Sequence, residues 1–103
     1  MLKGYNGKIL RLDLSTGSID FEYLDERICR KYIGGVGLAV NILWDETKPD
    51  TGPLSPESEL LFMTGPLTGT AVPKSSRYIV AGISPLTGIW GQAHAGGKFL
   101  SLI

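Results

Sequence analysis

The residues with chemistry to offer are few, and most gather in one stretch. Arg77 heads an apolar run, Tyr78 to Ile83, and His94-Ala95-Gly96-Gly97 follows after a Pro-Leu-Thr-Gly turn. A guanidinium grips a phosphate or carboxylate through two parallel hydrogen bonds. Adjacent glycines let main chain approach a bulky ligand, because neither carries a Cβ. A helix starting at Lys98 or Phe99 would turn its unpaired N–H groups toward the same loop, and such groups attract phosphate. The combination suggests a pocket for a phosphorylated ligand. The competing interpretation is an ordinary tight turn beside a solvated strand end. Neither a Gly-x-x-x-x-Gly-Lys-Ser/Thr loop nor a Gly-x-Gly-x-x-Gly fingerprint is present, so a generic nucleotide-binding domain ranks third.

Other reactive side chains are scarce. Cys29 is the only cysteine and His94 the only histidine. One thiol cannot close an internal disulfide, nor supply the four thiolates an iron–sulfur cluster usually takes. A zinc site would have to be completed by carboxylates, which is uncommon. Cys29 has no histidine near it in sequence and reads as a small core residue rather than a nucleophile. His94 also fits a plain hydrogen-bonded loop histidine.

The elements that would position these residues follow from patterning. Lys8 to Leu14 alternates polar and apolar, with Ile9 opposite Leu10, Leu12 and Leu14, so the leucine face is expected to be buried. Ser15-Thr16-Gly17 turns the chain, and Ser18 to Leu24 alternates again, which predicts a β-hairpin. Asp25 caps a helix to about Ile33, with Ile28, Cys29, Tyr32 and Ile33 on one face and Leu24 stapling onto Cys29. Gly34-Gly35 is expected to end that helix. A second helix runs from Gly37 to Asp45, with Leu38, Ile42 and either Trp44 or Leu43 inward. Prolines 49, 53 and 56 make Glu46 to Ser58 a surface loop. Leu60-Leu61-Phe62-Met63 reads as a buried central strand. Pro66-Leu67-Thr68-Gly69 recurs as Pro85-Leu86-Thr87-Gly88, suggesting two similar turns; turn chemistry alone and a ligand-facing role both remain open for them. Seven of the fourteen glycines lie between Gly65 and Gly97, so backbone shape matters there more than side-chain chemistry.

Length and charge set the outer bounds. A chain of 103 residues holds one small domain, and 43% hydrophobic content argues against disorder. Ten basic and ten acidic residues cancel, leaving no broad field to draw nucleic acid or an anionic membrane. The apolar runs are too short to span a bilayer, and the N-terminus lacks the apolar core of a signal peptide, so a cytoplasmic location is the default expectation.

Several separate stretches together match one pattern. They are Gly7 to Gly17 (Gly-Lys-Ile-Leu-Arg-Leu-Asp-Leu-Ser-Thr-Gly), Tyr32-Ile33-Gly34-Gly35-Val36-Gly37-Leu38, Pro53-Leu54-Ser55-Pro56-Glu57, Thr64 to Thr70, and Arg77-Tyr78 through Ser84-Pro85-Leu86-Thr87-Gly88 to Gly96-Gly97. In this order and spacing they closely resemble the N-terminal domain of the aldehyde ferredoxin oxidoreductase family of tungsten enzymes, over essentially the whole chain. The resemblance implies an α+β fold: a hairpin, two short helices, then a mostly antiparallel or mixed sheet. It implies a single partial domain, 1–103, corresponding to half of a duplicated domain that cradles a tungsten (or molybdenum) bis-pterin cofactor. It further implies oxidation of aldehydes to carboxylic acids, ferredoxin as electron acceptor, and a 4Fe-4S cluster held by later domains rather than by this chain. Activity of this chain alone is not expected.

Residue by residue, Arg77 matches a pterin-contacting arginine and Gly96 a pterin-binding glycine, with Ala95 and Gly97 in the same loop. His94 stands where asparagine is usual, and its backbone carbonyl is expected to help bind magnesium between the pterin phosphates. Ala95 replaces a serine, Lys98 could add a phosphate contact, and Val36 replaces a frequent arginine. These departures leave open related tungsten or molybdenum enzymes that reduce carboxylic acids or aromatic thioesters. The alternative to a cofactor-cradling piece is a non-catalytic fragment, or a homodimeric structural module in which two chains imitate the duplication.

Overall fold

The computed structural model describes residues 4–5 and 7–97. The expected start of a helix at Lys98 or Phe99, and any contact from Lys98, lie outside the described residues. Five strands and two helices make an α+β fold. Strands β1 (Lys8–Asp13) and β2 (Ser18–Tyr23) form a two-stranded sheet. Helices α1 (Glu26–Tyr32) and α2 (Gly35–Glu46) follow. Strands β3 (Leu61–Met63), β4 (Tyr78–Ile83) and β5 (Trp90–Ala95) form a second sheet in that order, and every pairing is antiparallel.

Local chemistry explains most of these boundaries. The Asp25 carboxylate accepts the Arg27 N–H at 2.8 Å, capping α1 as expected. Helix α1 stops at Ile33, whose backbone adopts φ 67 and ψ −68, a conformation disfavoured for a β-branched residue. The glycine pair does not follow the helix as a terminator. Gly34 caps α2 and Gly35 is its first residue, so α2 starts two residues earlier than expected. Leu38, Ala39 and Ile42 of its apolar stripe pack with Met63, Ile79 and Ala81 to form the core, and Leu43 is buried as well. Leu43 points inward at 7% exposure and Trp44 outward at 84%, which decides between the two. Cys29 is 1% exposed and burial pushes its thiol pKa up, so it is an unreactive core residue, as expected.

Two expectations are corrected. The register pairs Leu10 with Phe21 and Leu12 with Ile19, yet this face of the hairpin looks outward; Leu12 is 58% exposed and Phe21 68%. The opposite face turns inward because Ile9 packs on the core and Arg11 makes a two-pronged pair with Glu46 of α2, at 2.6 and 2.7 Å, while also bonding Glu22. Second, β3 is an edge strand, not a central one, and Phe62 is half exposed. β4 holds the centre. No described helix is long and apolar enough to cross a membrane.

Candidate functional site

A wide-open surface cavity of about 390 Å³ lies between the α1–α2 junction and the chain leaving β3. Its walls are Ile33, residues 65–68, residues 72–75 and Arg77. The turn after β3 shapes it. The Gly65 N–H donates to the Thr68 hydroxyl at 3.2 Å, and that hydroxyl donates to the Arg77 carbonyl at 3.2 Å. Further along, the Gly69 N–H donates to the Ser75 carbonyl at 3.1 Å and the Ser75 hydroxyl to the Thr70 carbonyl at 3.3 Å. Residues 65–77 thus form a closed loop stitched across its base. Loops of this kind on a rigid support commonly carry function.

Glycines let the support come close. A Cβ on Gly34 would sit 3.1 Å from both the Gly65 Cα and the Thr64 carbonyl, so only glycine allows this approach without a backbone shift. The Gly35 N–H donates to the Thr64 carbonyl at 3.0 Å, tying the start of α2 to the same turn. Behind Ile33, the Tyr5 hydroxyl donates to the Ile33 carbonyl, holding the strained residue in place.

The walls carry two cations, Lys74 and Arg77, and no carboxylate. Neither head group has an ion-pair partner among the described residues. The remaining surface is largely apolar, from Ile33, Pro66, Leu67, Val72 and Pro73. The strongly perturbed carboxylates lie elsewhere. Hydrogen bonds from Arg11 hold Glu46 below the usual carboxylate range, and burial, then Glu46, pushes Glu59 above it. That cluster fastens the hairpin to α2 and does not line the cavity.

Of the site residues expected from sequence, only Arg77 lines the cavity. His94 and Ala95 belong to β5, paired with Ile79 and Tyr78, rather than to a loop; only Gly96 and Gly97 leave the strand. The His94 ring lies 3.0 Å from the Gln92 side-chain amide, which also accepts the Trp90 indole N–H at 2.8 Å. The imidazole is therefore tied along its own strand. Its main chain is placed differently. The Ser84 N–H donates to the Ile89 carbonyl at 2.8 Å, marking a hydrogen-bonded pair. Alternation along the ladder then leaves Ile79 and His94 as a non-bonded pair, with the His94 carbonyl turned to the outer edge of β5, which no described strand pairs. Arg77 and Gly96 each adjoin the last pair of that ladder, Tyr78 with Ala95. Among the described residues, a Cβ on Gly96 or Gly97 would meet nothing within 4 Å, so their main chain is unhindered there.

A phosphate-bearing ligand fits this donor set: a guanidinium, exposed glycine main chain, and an edge carbonyl free to meet a cation. Lys74 and Ile33 escaped sequence reasoning. Both have positive φ, and nothing about a lysine or an isoleucine announces that conformation. Among the described residues, no cluster of three or more histidine, cysteine, aspartate or glutamate side chains could hold a metal ion.

The family pattern described as "Aldehyde ferredoxin oxidoreductase, N-terminal domain" matches residues 9–102. The chain is 47% identical over 96 residues to the tungsten-containing aldehyde ferredoxin oxidoreductase of Pyrococcus horikoshii, covering 93% of this chain and 16% of that protein. It is 46% identical over 93 residues to the enzyme of the same description from Pyrococcus furiosus, covering 90% and 15%. An aliphatic sulfonate oxidoreductase, WOR-like subunit, of Pyrococcus furiosus is 43% identical over 68 residues, 63% of this chain and 11% of that protein. Among solved structures, the active-site complex BamBC of benzoyl-coenzyme A reductase in complex with 1,5-dienoyl-CoA superposes with a TM-score of 0.86 at 37% identity, covering 91% of this chain and 14% of that one. The chain thus spans about a sixth of the length of the P. horikoshii relative.

Proposed function

The chain belongs to the aldehyde ferredoxin oxidoreductase N-terminal domain family, and from that premise we propose that it is the pterin-cradling first half of that domain in a tungsten oxidoreductase. Arg77 and the main chain of Ala95, Gly96 and Gly97 would hold the phosphate-bearing part of the pterin, and the His94 carbonyl would serve magnesium. When bound, the tungsten (or molybdenum) centre supplies the two-electron oxidation of an aldehyde to a carboxylate, with electrons leaving through a 4Fe-4S cluster to ferredoxin. The chain's own residues bind and orient; none is assigned proton transfer. Cys29 is the sole cysteine and is buried, so the cluster ligands belong to other parts of a longer protein.

The observation that supports this assignment is that Arg77 and Gly96 each adjoin the last pair of the β4–β5 ladder, Tyr78 with Ala95. Guanidinium and unhindered N–H groups together form an anion seat. The experiment is metal and pterin analysis of the natively purified full chain and its Arg77→Ala variant. Tungsten or molybdenum with pterin is expected in the parent and lost in the variant, with circular dichroism unchanged. Absence from the parent, or equal content in both, would contradict the assignment.

The outward apolar face of the hairpin favours a second reading, a structural module that pairs with another copy of itself. Sedimentation would then give a dimer that Phe21→Lys dissociates. A monomer at every concentration removes this possibility.

A further inference from the structure

We propose that Lys74 is a second anion-binding residue of the cavity, acting with Arg77, and that Ile33 forms the wall against which the ligand's less polar part rests. This rests on the cofactor assignment for the identity of the ligand, but not for the existence of the cavity. Four observations support it. Lys74 and Arg77 line one cavity whose walls hold no carboxylate. Neither has an ion-pair partner among the described residues, so nothing there neutralises them. Like charges left unpaired on one cavity raise the affinity for an anion that bridges them. Third, Ile33 and Lys74 are the non-glycine residues with positive φ among the described residues, and both line this cavity. Backbone held in sparsely populated conformations clusters at ligand clamps. Fourth, the strain is braced: the Tyr5 hydroxyl bonds the Ile33 carbonyl, and the Gly34 N–H bonds the Tyr32 carbonyl at 2.8 Å across Ile33. The ligand implied has one strongly anionic group, a phosphate or diphosphate, on a body apolar enough to lie against Ile33, Val72 and Pro73.

The test is titration of the full chain with pyrophosphate by calorimetry, comparing the parent with Lys74→Gly, Lys74→Arg and Lys48→Gly. Lys74→Gly removes the charge while relieving the left-handed backbone, so it is expected to fold at least as stably. Its binding should be weaker by about tenfold or more, as for loss of a charge-assisted hydrogen bond. Lys74→Arg should restore most of the affinity, and Lys48→Gly, on a loop away from the cavity, should change little. Parent-like binding by Lys74→Gly, equal loss in Lys48→Gly, or no binding by the parent would each overturn the proposal. Pterin content separates it from the assignment it rests on. Pterin lost in Arg77→Ala, with Lys74→Gly unchanged in both assays, keeps the cofactor and removes Lys74. Pyrophosphate binding that depends on Lys74 in a protein carrying no pterin keeps the site and removes the cofactor.

Discussion

Pro66-Leu67-Thr68-Gly69 and Pro85-Leu86-Thr87-Gly88 are the same tetrapeptide in two settings. In the second, every bond is local. The Ser84 hydroxyl accepts the Leu86 and Thr87 N–H groups, the Gly88 N–H donates to the Ser84 carbonyl at 2.8 Å, and the turn closes β4 onto β5. The turn between β1 and β2 is built alike, with Asp13 in the place of Ser84 and Gly17 in the place of Gly88. In the first copy the preceding residue is Gly65, which has no side chain to cap the turn. There the Thr68 hydroxyl joins the Gly65 N–H to the Arg77 carbonyl, nine residues on, and the turn becomes cavity wall. The residue before the tetrapeptide and the distant partners, not the tetrapeptide itself, decide which job it does.

Substitutions can break this contrast. Arg77→Ala should lower affinity for a phosphate anion by about tenfold or more while leaving the melting temperature nearly unchanged, because the residue is exposed. Gly34→Ala forces a methyl against the Gly65 turn, and denaturant unfolding should show a loss of about 1–3 kcal/mol. At the Pro85 turn the comparable glycine is Gly91, whose added Cβ would meet the Ser84 side chain at 3.3 Å rather than main chain. Gly69→Ala and Gly88→Ala should cost a similar ~1–2 kcal/mol, since both glycines have left-handed backbone, with φ 78 and φ 74. Of these two, only Gly69→Ala should also weaken anion binding. The smallest effects belong to the threonines. Thr68→Val loses its bonds to Gly65 and Arg77, worth about 1 kcal/mol, whereas Thr87→Val loses one long local bond, 3.4 Å, and should cost a few tenths of that. Chemical denaturation measures both.

Much of this was legible from residues close in sequence. The hairpin, the Asp25 cap, the buried Cys29 and strand β4 each follow from spacing or from one local hydrogen bond. The errors share a cause. Alternation tells which hairpin residues share a face, not which face is covered; the deciding pair, Arg11 with Glu46, lies 35 residues apart. An apolar run such as Leu60 to Met63 looks central until its partners are known, and β3 has only β4. Of the residues expected at the site, Arg77 lines the cavity. Lys74 and Ile33 were not legible, because their importance lies in backbone angles and in a cavity assembled from separate segments. For His94 the family resemblance pointed to the backbone carbonyl, and ladder alternation turns that carbonyl to the outer edge of β5.

The proposed function requires that Arg77, on the wall of the Gly65-turn cavity, and the glycine pair outside that wall bind the same anion, with the Pro85 turn left out of it. Amide chemical-shift mapping during a pyrophosphate titration tests this directly. Shifts should concentrate at Gly65, Thr68, Arg77, Gly96 and Gly97, while Leu86, Thr87 and Gly88 stay still. Shifts centred on residues 86–88, or none at Arg77 and Gly96, would contradict it.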